Sequence, residues 1–452
     1  MRVVGLTTDT QTSFRFVDNN SKKKKKNKNV IIIRRAKRKK TMASLNSSKV
    51  SDRRDDEIVI LGAGLQGLAS AYFLIKRGCT DVTIIERSDK IAPAASGKAG
   101  GFLAGEWGDS NTKELHEKSF KLHEELAKEL HIESFRKIRT LSVQAGANGL
   151  ADPLVTWLDG DIQQNSILDT DTAQVTPAEL AQKLHDFATK NGLKTLYNTE
   201  CTGIRFKNDH NDDITPVVVD GVHIKTSNSE KTMTIDAKCC VIALGPWTTR
   251  ASDWFPNAHF PMTGIKSTSI VFEASEQVLK EPAALFCAED SRFGTHLEVY
   301  PRSDGSVYLC GIGGSDYVEA ERLAPGGDCE SADLILADPS RVQAAWDAFK
   351  SMSPTIGSSA PILSQACMRP CAPDALPMIG YVPNVDGAII ASAHNCWGIL
   401  WSPITGQIVS ELILEGESSC CDIRNFTPSR FAKKATAGRG RQKVNQPIGE
   451  QW

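Results

Sequence analysis

One arginine between two cysteines gives the stretch from Cys367 to Gly380, CMRPCAPDALPMIG, the clearest chemistry in the chain. The two cysteines have no histidine nearby, and the twelve cysteines of the chain are scattered without a C-x-x-C pair. This pattern indicates reduced thiols rather than a zinc site or a disulfide framework, so no metal is expected. The arginine, Arg369, carries a planar guanidinium that offers two parallel N–H donors to a carboxylate. A structural ion pair between Arg369 and Asp374 is the open alternative.

A glycine-rich turn near the start of the folded part predicts a nucleotide site. EIVILGAGLQGLASAYFLIKRG (Glu57–Gly78) begins with apolar β-branched residues, crosses a G-x-G-x-x-G sequence and continues with helical spacing. The first glycine permits the turn, the second lets the backbone approach a pyrophosphate, and the third lets the helix pack on the strand. The phosphates then lie on the helix N-terminus. The residues expected to surround them are Gly62, Gly64, Leu65, Gln66 and Gly67.

A second strand, Asp81–Ser88, supplies an acidic residue at the expected place. Glu86 follows the first glycine by twenty-four residues and is expected to accept the ribose hydroxyls, with Arg87 beside it. These features predict a dinucleotide, NAD or FAD, because both contain the same ADP half. The apolar run Ile58–Ile75 reaches the lower length limit for a membrane span, but its three glycines and one glutamine favour the nucleotide site.

Two further glycine-rich segments favour a flavin over a nicotinamide. AASGKAGGFLAGEW (Ala94–Trp107) follows the acid-bearing strand, where an NAD-binding domain usually continues with another regular strand and helix. CCVIALGPWTT (Cys239–Thr249) is a buried strand that ends in a glycine turn, and it is either an ordinary strand of the sheet or part of the nucleotide site. The candidate cofactor contacts in these segments are Ser96, Gly100, Gly101 and Gly245.

The sequence resembles the FAD-dependent D-amino-acid oxidase, glycine oxidase and sarcosine oxidase family. Five segments between residues 57 and 431 carry the resemblance: the glycine fingerprint with VTIIERS, then ASGKAGG, VIALGPWT, the long segment Arg369–Gly416, and FTPSRF at the end. The resemblance implies that the cofactor is FAD. It also implies that the helix after GAIIASAHNCWG directs its N-terminal N–H groups at the flavin pyrimidine, where reduction builds negative charge. The residues that this places at the flavin are Gly398, Ile399, Leu400 and Thr405.

The resemblance also assigns roles near the substrate. Arg369 is similar to the position at which glycine and D-amino-acid oxidases hold the substrate carboxylate, and His394 matches a histidine of the family, as a catalytic or a core residue. Cys367 precedes Pro373 by six residues, the spacing at which sarcosine oxidases attach FAD to a cysteine, although an inert buried thiol is the default. Leu400 stands where the sarcosine branch has a lysine, which weakens that branch as a guide to the substrate.

Three functions fit this pattern. The leading one is an FAD-dependent enzyme that oxidises a C–N bond of a small amino acid or N-alkyl amino acid by hydride transfer to the flavin. A 2-hydroxy-acid dehydrogenase on the same scaffold is an alternative, because a carboxylate anchor serves both substrates. A flavoprotein whose FAD is structural, acting as a binding or trafficking partner, is the third.

The expected fold is α/β, with a Rossmann-like FAD-binding domain interleaved with a substrate domain built on a mixed or antiparallel sheet. The FAD-binding domain is predicted over residues 55–135, 170–257 and 367–431, and the substrate domain over 136–169 and 258–366. Apolar spacing predicts helices over Thr112–Leu130, from Pro177 and over Arg341–Met352, and a hairpin at Ser303–Gly305.

Charge is concentrated in a basic N-terminal segment. Residues 1–41 hold fourteen Lys and Arg against Asp9 and Asp18, which leaves the remainder mildly acidic and gives no case for nucleic-acid binding. Residues 1–54 and 432–452 are predicted to be disordered extensions. The protein is expected in the cytoplasm, with Met42 as a possible true start. A plastid or mitochondrial location is the alternative if residues 1–41 are a transit segment. The sequence does not indicate an oligomeric state.

Overall fold

The computed structural model describes residues 53–146, 152–207, 216–229, 231–256 and 258–432. Most of the predicted N-terminal extension and of the C-terminal tail lies outside these residues. Arg54, at the end of that predicted extension, donates from Nε to the Arg77 carbonyl at 3.0 Å. No helix of the described residues is long and apolar enough to cross a membrane.

The helices and strands alternate through the chain. The helices are α1 (Leu65–Lys76), α2 (Ala95–Lys98), α3 (Lys113–Glu129), α4 (Pro177–Lys190), α5 (Glu276–Lys280), α6 (Ala320–Leu323), α7 (Pro339–Met352), α8 (Pro354–Gly357) and α9 (Ser402–Glu415). The strands are β1 (Ile58–Leu61), β2 (Val82–Ile85), β3 (Phe102–Ala104), β4 (Arg136–Ala145), β5 (Ile162–Gln174), β6 (Lys194–Leu196), β7 (Thr199–Phe206), β8 (Val217–Thr226), β9 (Thr232–Asp236), β10 (Cys239–Ile242), β11 (Thr263–Phe272), β12 (Ala283–Cys287), β13 (Glu298–Pro301), β14 (Val307–Cys310), β15 (Asp316–Val318), β16 (Leu363–Cys371), β17 (Met378–Tyr381), β18 (Val385–Asp386) and β19 (Ala388–Ser392).

The first sheet carries the predicted nucleotide site. Among the described residues its order is β17-β19-β10-β1-β2-β6, and every neighbouring pair is parallel except β17 with β19. Both faces of β1 are covered: Ile58 and Ile60 pack with α1 and α9, whereas Val59 and Leu61 pack with β7 and β8. This double burial explains the unbroken apolar sequence of the strand.

A larger sheet forms the second layer. Its order among the described residues is β15-β11-β14-β13-β12-β4-β5-β3, with β16 paired to β11, and most pairs are antiparallel. Along the sequence, the strands of this sheet lie between strands of the first sheet. The predicted α/β fold with two interleaved parts is therefore confirmed.

The predicted helices correspond to α3, α4 and α7, and the predicted hairpin joins β13 to β14, with Gly305 at φ +85°. A third, small sheet of β7, β8, β9 and β18 lies within the region predicted for the cofactor domain and has no counterpart in the predictions. The described residues belong to one compact unit. The domain boundaries therefore stay a prediction.

Candidate functional site

Two glycines at the turn between β1 and α1 have no room for a side chain. A Cβ on Gly62, whose φ is +102°, would lie 2.6 Å from the Ala243 carbonyl oxygen. A Cβ on Gly67 would lie 2.0 Å from the Gly62 carbonyl oxygen. Real Cβ atoms do not approach backbone oxygen so closely, so both glycines are required by contact. Gly62 and Gly67 thus let the turn pack closely against the end of β10 and against α1.

The N–H groups of this turn are organised by side chains from two other segments. The Ala63 N–H donates to Glu86 Oε2 at 2.9 Å, and the Leu65 N–H donates to Ser96 Oγ at 2.9 Å. Glu86 follows β2 and is 7 % exposed. Burial raises the pKa of Glu86, and the N–H donors of Ser88 and Ala63 partly oppose that rise. The acidic residue therefore lies at the end of β2 that the sequence predicted.

A cavity of about 540 Å³ extends from this turn to the face of the larger sheet. Most of the predicted site residues line it: Gly62, Gly64, Leu65, Gln66, Glu86, Arg87, Ser96, Gly100, Gly101, Gly245, Arg369, His394, Gly398 and Ile399. Three do not line it. Gly67 packs beneath the turn, Leu400 is fully buried, and Thr405 lies within α9.

Arg87 lines the cavity and also contacts two glutamates, Glu330 and Glu200. Its guanidinium donates to the Glu330 carbonyl at 2.8 Å and to Glu330 Oε1 at 2.9 Å, with Glu200 at 3.8 Å. Glu200 is also bound by Arg250 at 2.6 Å. These charged contacts join the end of β2 to the loop after α6, next to the nucleotide turn.

The chain near Gly398 differs from the predicted helix start. A 3₁₀ turn over Asn395–Trp397 precedes a bend, and α9 begins only at Ser402. The Thr405 N–H is bonded to the Trp401 carbonyl at 3.0 Å, so it is unavailable to a ligand. Of the four predicted contacts only Gly398 and Ile399 face the cavity. The expectation that Leu400 and Thr405 contact the cofactor directly is therefore not met in this structure.

Helix α3 supports that bend through two residues that the sequence analysis did not identify. Ser119 Oγ donates to the Leu400 carbonyl at 2.5 Å, and His123 Nε2 lies 3.1 Å from the carbonyl oxygens of Ile399 and Leu400. Burial lowers the pKa of His123 to about 4, although both carbonyls oppose it. A neutral His123 that donates from Nε2 therefore fixes the position of the bend.

Arg369 lies on β16, opposite Ile265 of β11, and lines the cavity. Its Nε is buried without a hydrogen-bond partner. No carboxylate among the described residues forms a salt bridge with it. Asp374, the partner considered above, is bound by Arg430 at 2.6 Å instead. The structural ion pair between Arg369 and Asp374 is therefore wrong.

His394 is 1 % exposed and its Nε2 lies 3.0 Å from Thr405 Oγ1. Its Nδ1 is buried without a partner. Burial lowers the pKa of His394 to about 3. The imidazole is consequently neutral at ordinary pH, so it holds Thr405 and carries no charge. Its predicted catalytic role stays a prediction.

This pKa predicts how stability depends on pH. The unfolded chain binds a proton at His394 below about pH 6.5, whereas the folded protein does so only near pH 3. Folding stability should therefore fall as the pH falls through this window. We expect His394→Gln to reduce the slope of the unfolding free energy against pH by about one proton. Urea unfolding between pH 4 and pH 7 measures that slope, and an unchanged slope would contradict the assignment.

The chain is similar in sequence to known proteins over most of its length. A family described as FAD dependent oxidoreductase matches residues 57–412, most of the chain. The chain belongs to this FAD-dependent oxidoreductase family. A Schizosaccharomyces pombe protein named as an oxidoreductase is 28 % identical over 400 residues, which cover 82 % of this chain and 97 % of the relative.

Solved structures share the fold. Glycine oxidase from Geobacillus kaustophilus superposes with a TM-score of 0.64 at 21 % identity, covering 83 % of this chain and 99 % of that one. L-Amino acid deaminase from Proteus myxofaciens gives a TM-score of 0.66 at 16 % identity, covering 84 % and 94 %. The predicted family, its enzymatic nature and its FAD cofactor are confirmed.

The described residues fit FAD. The bare turn at Gly62 and Gly64 and the Glu86 carboxylate would hold the ADP half, and Gly398 and Ile399 would lie near the flavin. Gln66 Oε1 is buried without a partner while its Nε2 donates to the Gly398 carbonyl at 2.8 Å, so one side chain links both ends. Among the described residues no group of three or more His, Cys, Asp or Glu is arranged to hold a metal ion.

The state of the Cys367 thiol bears on whether FAD is attached covalently. A thioether requires the thiolate, but burial raises the pKa of Cys367, with Arg369 and Lys98 opposing that rise. We therefore expect the flavin to be released into the supernatant when the holoprotein is precipitated with acid. A yellow pellet from the parent protein and a white pellet from Cys367→Ser would contradict this expectation and establish the covalent link.

Proposed function

We propose that this FAD-dependent oxidoreductase oxidises a C–N bond of a small amino acid or N-alkyl amino acid. FAD, when bound, supplies the acceptor for the hydride that leaves the α-carbon. The nitrogen lone pair then forms the C=N bond, and water hydrolyses the imine to a carbonyl product. The names of two similar proteins, a glycine oxidase and an L-amino acid deaminase, agree with this substrate class.

The observation that carries the proposal is the Arg369 guanidinium, whose Nε has no hydrogen-bond partner and which forms no salt bridge among the described residues. The side chain is largely buried in the cavity that also holds the nucleotide turn, and no carboxylate of the described residues forms a salt bridge with it. A buried charge without a partner is costly, so a ligand carboxylate is the natural counter-ion. Bidentate binding would fix the orientation of the α-carbon as well as its position.

Positioning is the main contribution that the described side chains make. His394 is buried and neutral, so it is a weak proton acceptor at neutral pH. Hydride loss from a neutral amine needs no strong base, which agrees with this environment. Gly100 approaches the larger sheet closely, since a Cβ there would lie 2.3 Å from the Tyr300 ring. The loop after α2 thus packs against the larger sheet where both line the cavity.

Anaerobic reduction of the holoprotein tests the proposal. Matched pairs are added that share a carboxylate and differ at the reacting atom: D-alanine and D-lactate, L-alanine and L-lactate, and sarcosine and methoxyacetate. We expect at least one amine to bleach the flavin absorbance while its oxygen analogue does not.

Bleaching by a 2-hydroxy acid in place of its amine would overturn the substrate class and support the dehydrogenase alternative. A flavin that no compound of a wider amino-acid panel reduces would contradict an enzyme of this specificity. It would favour a structural role for FAD instead.

A further inference from the structure

A second charged side chain, the carboxylate of Glu298, faces the same cavity as Arg369. Glu298 begins β13, pairs across the ladder with Cys310 of β14, and lines the cavity. Its Oε2 accepts hydrogen bonds from the Tyr300 hydroxyl and from the Cys310 thiol, the latter at 3.3 Å. Two donors on one oxygen fix the direction of the carboxylate.

The rest of this carboxylate is left open. No hydrogen bond from a described residue reaches Glu298 Oε1, and no Lys or Arg of the described part of the chain lies within salt-bridge distance of Glu298. The carboxylate is therefore held on one side and open to the cavity on the other, without a direct salt bridge. A ligand that supplies positive charge would complete it.

Aromatic rings surround the same position. Phe102 stacks on Tyr300 with ring centroids 5.3 Å apart and planes 11° apart, and Phe286 lies 5.2 Å from Phe102. All three rings line the cavity, and the two phenylalanines are partly exposed in it. Aromatic faces attract cations, most strongly where water is excluded. Carboxylate and rings together have the chemistry of a site for a substituted ammonium group.

Arg369 places a positive charge in the same cavity as the Glu298 carboxylate. The two charged side chains line one cavity without forming a direct salt bridge. Burial lowers the pKa of Arg369, but the Cys396 thiol and the Glu298 carboxylate raise it, and the net change is a rise. A ligand with both charges satisfies both poles, whereas a ligand with only a carboxylate leaves Glu298 unpaired.

We propose that Glu298 and the adjacent aromatic rings bind the cationic nitrogen of the incoming substrate while Arg369 binds its carboxylate. The ammonium proton then passes to the Glu298 carboxylate, which leaves the neutral amine that loses the hydride. The substrate class is therefore a zwitterionic amino acid, with N-alkyl groups accommodated against the rings. This inference rests on the proposed function, because it uses the same carboxylate anchor.

Glycine betaine and 3,3-dimethylbutanoate provide the test. They have the same shape and the same carboxylate, but betaine has a quaternary nitrogen where the other has carbon. Calorimetric titration of the holoprotein gives both dissociation constants without any turnover. We expect betaine to bind at least about tenfold more tightly, and Glu298→Gln to reduce that preference to about threefold or less. Glu273→Gln makes the same change on an exposed glutamate outside the cavity, so it is the matched variant and should retain the preference.

Equal binding of the two compounds to the parent protein overturns the inference even if Glu298→Gln fails to fold. A preference that survives in a folded Glu298→Gln also overturns it. Tetramethylammonium separates the two proposals, because it lacks a carboxylate. If neither carboxylate binds but tetramethylammonium binds in a Glu298-dependent manner, the cation site stands and the carboxylate anchor fails.

Discussion

The Arg369→Ala holoprotein is expected to lose about 10²- to 10³-fold in kcat/KM toward a carboxylate substrate. Truncating one partner of a buried, hydrogen-bonded charge pair costs about 3–4 kcal/mol, which gives this range. Arg369 forms no salt bridge with a carboxylate of the described residues, so its removal breaks no direct ion pair of the protein. The flavin content and the melting temperature should therefore stay close to those of the parent.

Two further variants separate charge, geometry and fold. Arg369→Lys keeps the charge but loses the two parallel donors, so it should recover only part of the loss. Arg430→Ala removes the partner of Asp374 outside the cavity and should change stability more than kcat/KM. Steady-state kinetics with the best substrate from the reduction panel measure all three. An Arg369→Ala protein that turns over this substrate as well as the parent would refute the carboxylate anchor.

Most of the fold could be predicted from local sequence patterns. The glycine turn, Glu86 after β2 and the helices α3, α4 and α7 follow from spacing, because each depends on residues close in sequence. The helix predicted after GAIIASAHNCWG begins only at Ser402. The pair Ser402-Pro403 was a usable signal for its true start, since proline favours the first turn of a helix.

The substrate end depends on contacts that no local pattern encodes. Glu298 reaches the cavity because β13 and β14 pair in the register Glu298 to Cys310, whereas both strands read as apolar hairpin arms in the sequence. Asp374 binds Arg430, fifty-six residues away, in place of nearby Arg369. The sequence did contain a signal for Ser119 and His123, because these polar residues lie on the same buried face of α3 as Leu115 and Leu126. Their purpose becomes visible only once the bend at Ile399 packs against them.

Gly62→Ala is expected to abolish stable FAD binding. The substitution places an L residue at φ +102°, which costs about 1–2 kcal/mol, and it also drives a methyl group to 2.6 Å from the Ala243 carbonyl oxygen. That carbonyl follows β10, the neighbour of β1, so the contact is relieved only if the turn moves away from β10. The turn is the part whose backbone is bare for the pyrophosphate, and its movement should weaken FAD binding at least about tenfold.

Gly192→Ala is the matched control for backbone strain alone. Its φ is +105°, nearly that of Gly62, but a Cβ there would have no atom within 4 Å, and it lies in the turn after α4 outside the cavity. This variant should lose about 1–2 kcal/mol of stability and keep its flavin. The flavin-to-protein ratio after purification, and the rise in melting temperature when FAD is added to stripped protein, distinguish the two. Equal flavin loss in both variants would show that strain, rather than the contact at Ala243, determines binding, and full occupancy of Gly62→Ala would show that the turn does not hold the cofactor.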